Sequence, residues 1–289
     1  MISLSYRETQ TPGKAVEQPQ SGDFLQATLG NTGLKVHRLG LSATTRPGVH
    51  TIHKAIDEGV NYFFAYGFDR QMTRTLRDVF RTGRERFVLA TGPYNLLWGH
   101  TNLRRTLERR LRQFRTEYID VFLFLGVMKP KHFPEKLREE LYRLREEGKV
   151  KFVGMSCHDR KFAGALAAEG ALDVLMIRYN AAHRGAEQDI FPLLKAHDPG
   201  VVSYTATRWR YLLRPPRGWP KDGRVPDAGL CYRFVLSNPN VHVCMTAPSN
   251  IGQLEENLAA VRRGPLEEDD MRFMREFGDA VHGMGKWFM

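Results

Sequence analysis

The sequence is poor in cysteine: among 289 residues it holds only Cys157, Cys231 and Cys244. An odd, unclustered set of this kind excludes a disulfide framework and a cysteine-based metal knuckle, and no metal is expected. No apolar run reaches the roughly 18 residues needed to span a bilayer. Phe122–Gly126 and Val201–Ala206 have the length of core strands instead. The first residues lack the charged-then-apolar layout of a secretory leader, so the expected compartment is the cytoplasm. A Gly-rich phosphate loop after an early strand is also missing. The first such turn reads Ser42-Ala43-Thr44-Thr45-Arg46-Pro47-Gly48, which argues against a doubly wound dinucleotide fold. Acidic residues are in deficit, 32 against 43 Lys and Arg, for a net charge of +11. The basic residues are not interleaved with aromatics and form no known module, so neither nucleic acid nor membrane is an expected partner.

What is present is a regular alternation of short apolar runs and helical patterns, the mark of a parallel α/β fold. Strands are predicted at Arg38–Ser42, Val60–Ala65, Arg86–Thr91, Tyr118–Leu125, Val150–Ser156, Leu172–Tyr179, Gly200–Thr205 and Val241–Thr246. Their starts are spaced by about one βα unit, except for a longer last interval that carries a Pro/Gly/Arg loop. Val60–Phe64 and Val121–Leu125 are continuously apolar, as strands covered on both faces require. Helices are predicted between them, near 48–58, 71–81, 101–115, 134–147, 160–169, 186–196 and 230–237, with two more at 251–262 and 266–281. In the most basic of these, Leu103, Leu107, Leu111 and Phe114 form one apolar stripe. Arg104, Arg105, Arg109, Arg110, Arg112 and Arg115 then fall on the other, solvated faces. Leu29–Val36, with a Gly-Asn-Thr-Gly turn, suggests a hairpin across a barrel bottom. Residues 1–26, rich in Gln, Thr, Pro, Gly and Ser, are expected to be a mobile extension. Residues 27–289 then make one (β/α)8 barrel domain, a usual size for that fold.

Four blocks share one resemblance. Leu29-Gly30-Asn31-Thr32-Gly33-Leu34-Lys35-Val36 with Arg38-Leu39-Gly40-Leu41 is the first. Ala55-Ile56-Asp57-Glu58-Gly59-Val60-Asn61-Tyr62-Phe63 is the second, and Tyr118-Ile119-Asp120-Val121 the third. Gln253-Leu254-Glu255-Glu256-Asn257-Leu258 follows the last strand. In this order they resemble the aldo-keto reductases over roughly residues 27–280. The resemblance implies carbonyl reduction by NADPH, with a Tyr hydroxyl giving the proton, a Lys–Asp pair acidifying it and a His orienting the substrate. Aligned on these blocks, however, the Asp position holds Phe64, the Lys position Gly92 and the His position Leu125. Tyr66 lies closer to Phe64 than the family places its Tyr; it and Tyr94 are the candidate proton donors. Losing one partner of a buried ion pair would strand a charge at a cost of roughly 3–5 kcal/mol. Losing both leaves a neutral site that still folds, so the site reads as remodelled as a unit.

The resemblance also implies a nucleotide cleft after strands seven and eight. Gln253, Glu256 and Asn257 match residues that hold the adenosine end, and Tyr204 matches the residue stacked on nicotinamide. Thr205, Thr207 and Arg208 fall along the pyrophosphate. Ser156 and Asn180 match carboxamide contacts, while the Gln that completes that grip is Met176. An Arg often used for the 2′-phosphate is Ser249, which leaves NADP and NAD both open as cofactor.

Arg178, inside the apolar run Val174-Leu175-Met176-Ile177-Arg178, needs an anion or a carboxylate because it cannot shed its proton. Asp189 and Asp173 are candidate internal partners; otherwise Arg178 receives a small anionic substrate, with His183 beside it. His158, next to Asp159, is a further acid–base candidate, since a neighbouring carboxylate raises a histidine pKa. Cys157 reads as a nucleophile or as a small buried thiol, and His100 falls in the loop after strand three. Three functions stand: an atypical nicotinamide-dependent oxidoreductase, a lyase, isomerase or cyclase without hydride transfer, and a non-catalytic sensor or partner subunit. The oligomeric state is not legible.

Overall fold

The computed structural model describes residues 24–66, 69–94 and 102–283. Residues 1–23 of the expected extension, and His100, lie outside the described residues. Strand β1 (Gln26–Thr28) pairs antiparallel with β2 (Lys35–His37), so Gln26 belongs to the hairpin and not to an extension. Phe24 is already buried, its ring under the Arg38 guanidinium at 4.6 Å. The turn needs Gly30, whose φ is +51° and where a Cβ would lie 2.3 Å from the Asp198 carbonyl oxygen.

Eight parallel strands close a barrel: β3 (Leu39–Ser42), β4 (Tyr62–Phe64), β5 (Val88–Thr91), β6 (Ile119–Val127), β7 (Val150–Cys157), β8 (Val174–Arg178), β9 (Gly200–Tyr204) and β10 (Val243–Thr246), with β10 returning to β3. Every predicted strand is found, with no end shifted by more than two residues. Just before β8, Asp173 is tied to β7 twice, its N–H donating to the Val153 carbonyl at 2.9 Å and its carboxylate accepting the Val153 N–H at 2.8 Å. Alternate residues fill the barrel interior, among them Val121, Leu123, Val174, Met176, Val202 and Val243, and Leu29 of the hairpin seals the bottom. The remaining strand residues face the helices, the larger of the two buried clusters.

The helices are α1 (Val49–Asp57), α2 (Arg70–Val79), α3 (Leu103–Phe114), α4 (Glu135–Glu146), α5 (Arg160–Ala168), α6 (Ala186–Asp189), α7 (Ala228–Leu236), α8 (Ile251–Val261) and α9 (Glu268–Gly283). The single helix predicted at 186–196 is instead one α turn followed by a 3-10 segment, Phe191–Ala196. Pro192 is the reason, since it removes an N–H and clashes with the preceding turn. In α3 the apolar stripe is buried as expected, but Arg110 is not solvated with its neighbours. It is 3% exposed and donates through Nη2 to the Tyr66 carbonyl oxygen.

Candidate functional site

The C-terminal ends of the barrel strands form a mouth with two unlike sides. On the β4–β6 side, Phe64 and Leu125 are buried on the inner face, with Tyr66 packed against them. Gly92 sits where β5 runs so close to β6 that a Cβ would stand 1.7 Å from the Leu123 carbonyl oxygen; no side chain fits there. Tyr66 stacks on Tyr94, with ring centroids 5.7 Å apart, and meets Phe64 edge-on at 4.7 Å. Its hydroxyl is 3.2 Å from Thr44 Oγ1, which is 2.8 Å from Ser42 Oγ. The turn after β3, read in the sequence only as lacking a phosphate loop, thus supplies a short hydroxyl chain to Tyr66. Arg110, from α3, fixes the backbone of the same residue. Nothing in the sequence pairs positions so far apart.

On the β7–β9 side, Arg178 and Tyr204 are register partners and share the inward face with Met176 and Val202. Arg178 donates through Nη2 to His158 Nδ1 at 3.0 Å. The Tyr204 hydroxyl is 3.4 Å from both ring nitrogens of His158. Neither expected carboxylate meets Arg178: Asp189 is taken by Arg160 at 2.8 Å and Asp173 by Arg145 at 3.0 Å. Among the described residues Arg178 makes no ion pair with an acid, and its buried Nε has no hydrogen-bond partner. Its guanidinium faces the Trp209 ring at 5.7 Å. His183 Nε2 is likewise buried without a partner, its ring edge-on to His282 of α9 at 5.3 Å. Trp209 and His282 escaped the sequence reading because one lies in a long loop and the other arrives from the last helix.

The electrostatics follow from that cluster. Burial, then the Arg178 charge, push His158 down to about 4. The expected lift from Asp159 fails, because that carboxylate turns away to accept the Phe162 N–H and caps α5. Burial and the charges of Arg178, Arg208, His282 and Arg160 lower His183 to about 3. Burial pushes the Tyr204 phenol up, so it stays a donor. Burial also raises the Cys157 thiol to about 12, and its Sγ contacts the Asp159 carbonyl oxygen at 3.1 Å; the nucleophile reading loses its thiolate. Among the described residues no three His, Cys, Asp or Glu side chains could share a metal ion.

Of the residues matched to a nucleotide, Gln253 and Glu256 are exposed on α8, whose first turn is capped by Asn250 at 3.0 Å. Gln253 Oε1 accepts the Ser249 N–H at 2.8 Å. Asn257 is buried and donates to Thr246 Oγ1 at 3.1 Å, which in turn donates to the Tyr232 hydroxyl. Asn180 is fully buried: it donates to the Thr205 carbonyl at 2.9 Å and accepts from the Ala182 and His183 N–H groups. Its amide holds two loops together. Thr205, Arg208, Trp209 and Arg210 all have positive φ, a concentration of backbone strain of about 1–2 kcal/mol per residue. Thr207 lies inside that stretch and its carbonyl accepts the Leu212 N–H, while Arg208 donates through Nη1 to the Val281 carbonyl. Ser156 is buried at the end of β7.

Similarities to known proteins agree with this architecture. Residues 46–208 match the family model described as the aldo/keto reductase family. The L-galactose dehydrogenase of Arabidopsis thaliana is 24% identical over 81% of this chain and 86% of its own. An uncharacterized oxidoreductase of Bacillus subtilis is 21% identical, over 86% of this chain and 94% of its own. Among solved structures, a holo-form aldo-keto reductase from Bacillus halodurans superposes with a TM-score of 0.73 at 18% identity, over 88% of this chain and 96% of that one. A Klebsiella pneumoniae aldo/keto reductase, solved with NADP and acetate, gives 0.71 at 21% identity over 88% and 95%. The family match spans more than half of the chain, and the barrel, its hairpin cap and its strand order fit it: this protein belongs to the aldo/keto reductase family.

Proposed function

We propose that the protein is an atypical nicotinamide-nucleotide-dependent oxidoreductase that acts on a small anionic substrate without the usual Asp/Tyr/Lys/His set. The observation that carries this reading is Arg178, an inward cation at the barrel mouth with no acid paired to it among the described residues. A permanent charge in that position is costly unless an anion completes it. The outer cleft suits a nucleotide: the exposed face of α8 offers Gln253 and Glu256, and the strained 205–210 stretch runs where a pyrophosphate would pass. A reduced nicotinamide supplies a hydride when bound. Arg178 orients the substrate's anionic group, and the Trp209 ring walls that end of the mouth. Tyr66 delivers the proton from its hydroxyl, with Thr44 and Ser42 able to pass on a replacement, and Tyr94 shields the pair from water. His158 and Tyr94 are the other candidate donors. The Phe64, Gly92 and Leu125 positions contribute no charge beside these hydroxyls.

Titration with NADPH and NADH by fluorescence quenching tests the cofactor. Binding tighter than about 10 μM, or roughly −7 kcal/mol, is expected for one of them. With an anionic carbonyl substrate, Arg178→Met should raise KM by about tenfold or more, the worth of a charged hydrogen bond, with a smaller change in kcat. Tyr66→Phe should lower kcat with little change in KM. If neither nucleotide binds, a second reading takes over, in which the mouth does acid–base chemistry without hydride transfer. Its support is that the Asn180 and Asn257 amides are already engaged within the protein.

A further inference from the structure

The anion that completes Arg178 can be described more closely from what surrounds it. Each element facing the guanidinium contributes a donor or a cation. The end of β7 gives His158, β9 gives the Tyr204 hydroxyl, and the loop after β8 gives His183 with its partnerless Nε2. The loop after β9 gives Arg208 and the Trp209 face, α5 gives Arg160, and α9 gives His282. The acids nearby are already engaged: Asp189 with Arg160, Asp159 at the α5 cap, Glu187 with Arg275, and Asp279 with Arg184. Among the described residues Arg178 and Arg208 thus hold two permanent charges without an acid, and the imidazoles of His158, His183 and His282 stand beside them.

A single planar carboxylate would satisfy one guanidinium edge-on. Donors that arrive from three strands, two loops and two helices instead surround a group with acceptor atoms in several directions. We infer that this cluster binds a tetrahedral oxyanion of the phosphate-monoester kind, and that His158 takes up one proton from solvent as the anion binds. This deepens the proposed function, on which it rests, by naming the substrate class: a small carbonyl compound bearing a phosphoryl group.

The proton step follows from the hydrogen bond at 3.0 Å. A guanidinium can only donate, so His158 Nδ1 accepts and the neutral ring carries its proton on Nε2. An arriving anion draws the Arg178 N–H groups to itself and releases Nδ1. The dianion then favours a proton on that atom, turning His158 into a second donor to the ligand. Because the free imidazole titrates at about 4, the uptake occurs between that pH and the higher value reached in the complex, and across this window the affinity falls as pH rises. Below pH 4 the ring is already charged and no proton is gained.

Sulfate is a suitable probe because it stays a dianion throughout this range, so any proton counted belongs to the protein. Calorimetric titration of the whole chain with sodium sulfate at pH 6.5, in two buffers of different ionisation enthalpy, should show binding with close to one proton taken up. Acetate should bind at least about tenfold more weakly. Arg178→Met should weaken sulfate binding by about tenfold or more. His158→Gln should keep weakened sulfate binding but abolish the uptake and flatten its pH dependence. The inference is overturned by sulfate binding without proton uptake, by acetate matching sulfate, or by an unchanged affinity in Arg178→Met. Sulfate binding as described in a protein that binds neither nucleotide would sink the redox reading and leave this site standing. A protein that binds NADPH but not sulfate would do the reverse.

Discussion

Asp120 shows at the scale of one residue how a recognisable motif can be structural. It lies in the block Tyr118-Ile119-Asp120-Val121 that the sequence marks out, yet its carboxylate faces the outside of the barrel. Arg84 pairs with it at 2.5 Å, Lys151 at 3.3 Å, and the Leu89 N–H donates to it at 3.0 Å. Because the acid is 2% exposed, removing its charge leaves the part-buried Arg84 guanidinium without its counter-charge. Asp120→Asn should therefore cost roughly 3 kcal/mol, read as a lower urea midpoint with an unchanged slope. A midpoint that does not move would mean that the Arg84 contacts to the Phe87 and Tyr118 carbonyls satisfy it alone. Arg178 is the complementary case. Its charge in an apolar strand was legible, and so was its need for an anion; that Asp173 and Asp189 serve other arginines was not, because ion-pair choice depends on side-chain reach in three dimensions.

Among elements, the hairpin is the most telling. Leu29 is fully buried inside the barrel floor, and Asn31 ties the turn to the chain before β9 through Asn31 N–H to Asp198 O at 2.7 Å and Nδ2 to His197 O at 2.7 Å. Leu29→Ala opens a cavity there and should destabilise by about 2–5 kcal/mol, measured by thermal or urea unfolding. A loss below about 1 kcal/mol would show that the hairpin is a cover and not a plug. The strands were readable because burial on both faces imposes continuous apolar runs, as in Val121–Leu125, and the α3 stripe because helical periodicity is local. The α6 region was misread because apolar spacing outweighed the single Pro192. The partners of the mouth residues were hidden for a different reason: Ser42, Thr44, Tyr66 and Arg110 meet only after the barrel closes.

For the whole molecule, the mouth's surplus of positive charge also governs stability against acid. His158 and His183 titrate at about 4 and about 3 when folded, against an ordinary 6.5, and burial lowers His37 and His242 as well. The unfolded chain therefore binds protons that the folded one does not, and stability must fall as pH drops below 6.5. Thermal midpoints should decline steadily from pH 6.5 towards 4, and the decline should be shallower in a His158→Gln, His183→Gln double variant. A flat profile over that range would contradict the neutral state of both rings. Closure of the barrel has one more outcome, at Gly92. Room for a side chain there exists only if β5 parts from β6, and in a ring of strands no seam widens alone, because its neighbours must share the opening. A charged residue therefore cannot be installed at this position by a single substitution within the present ring, and any lineage or designer wishing to place one there would first have to rebuild the circumference.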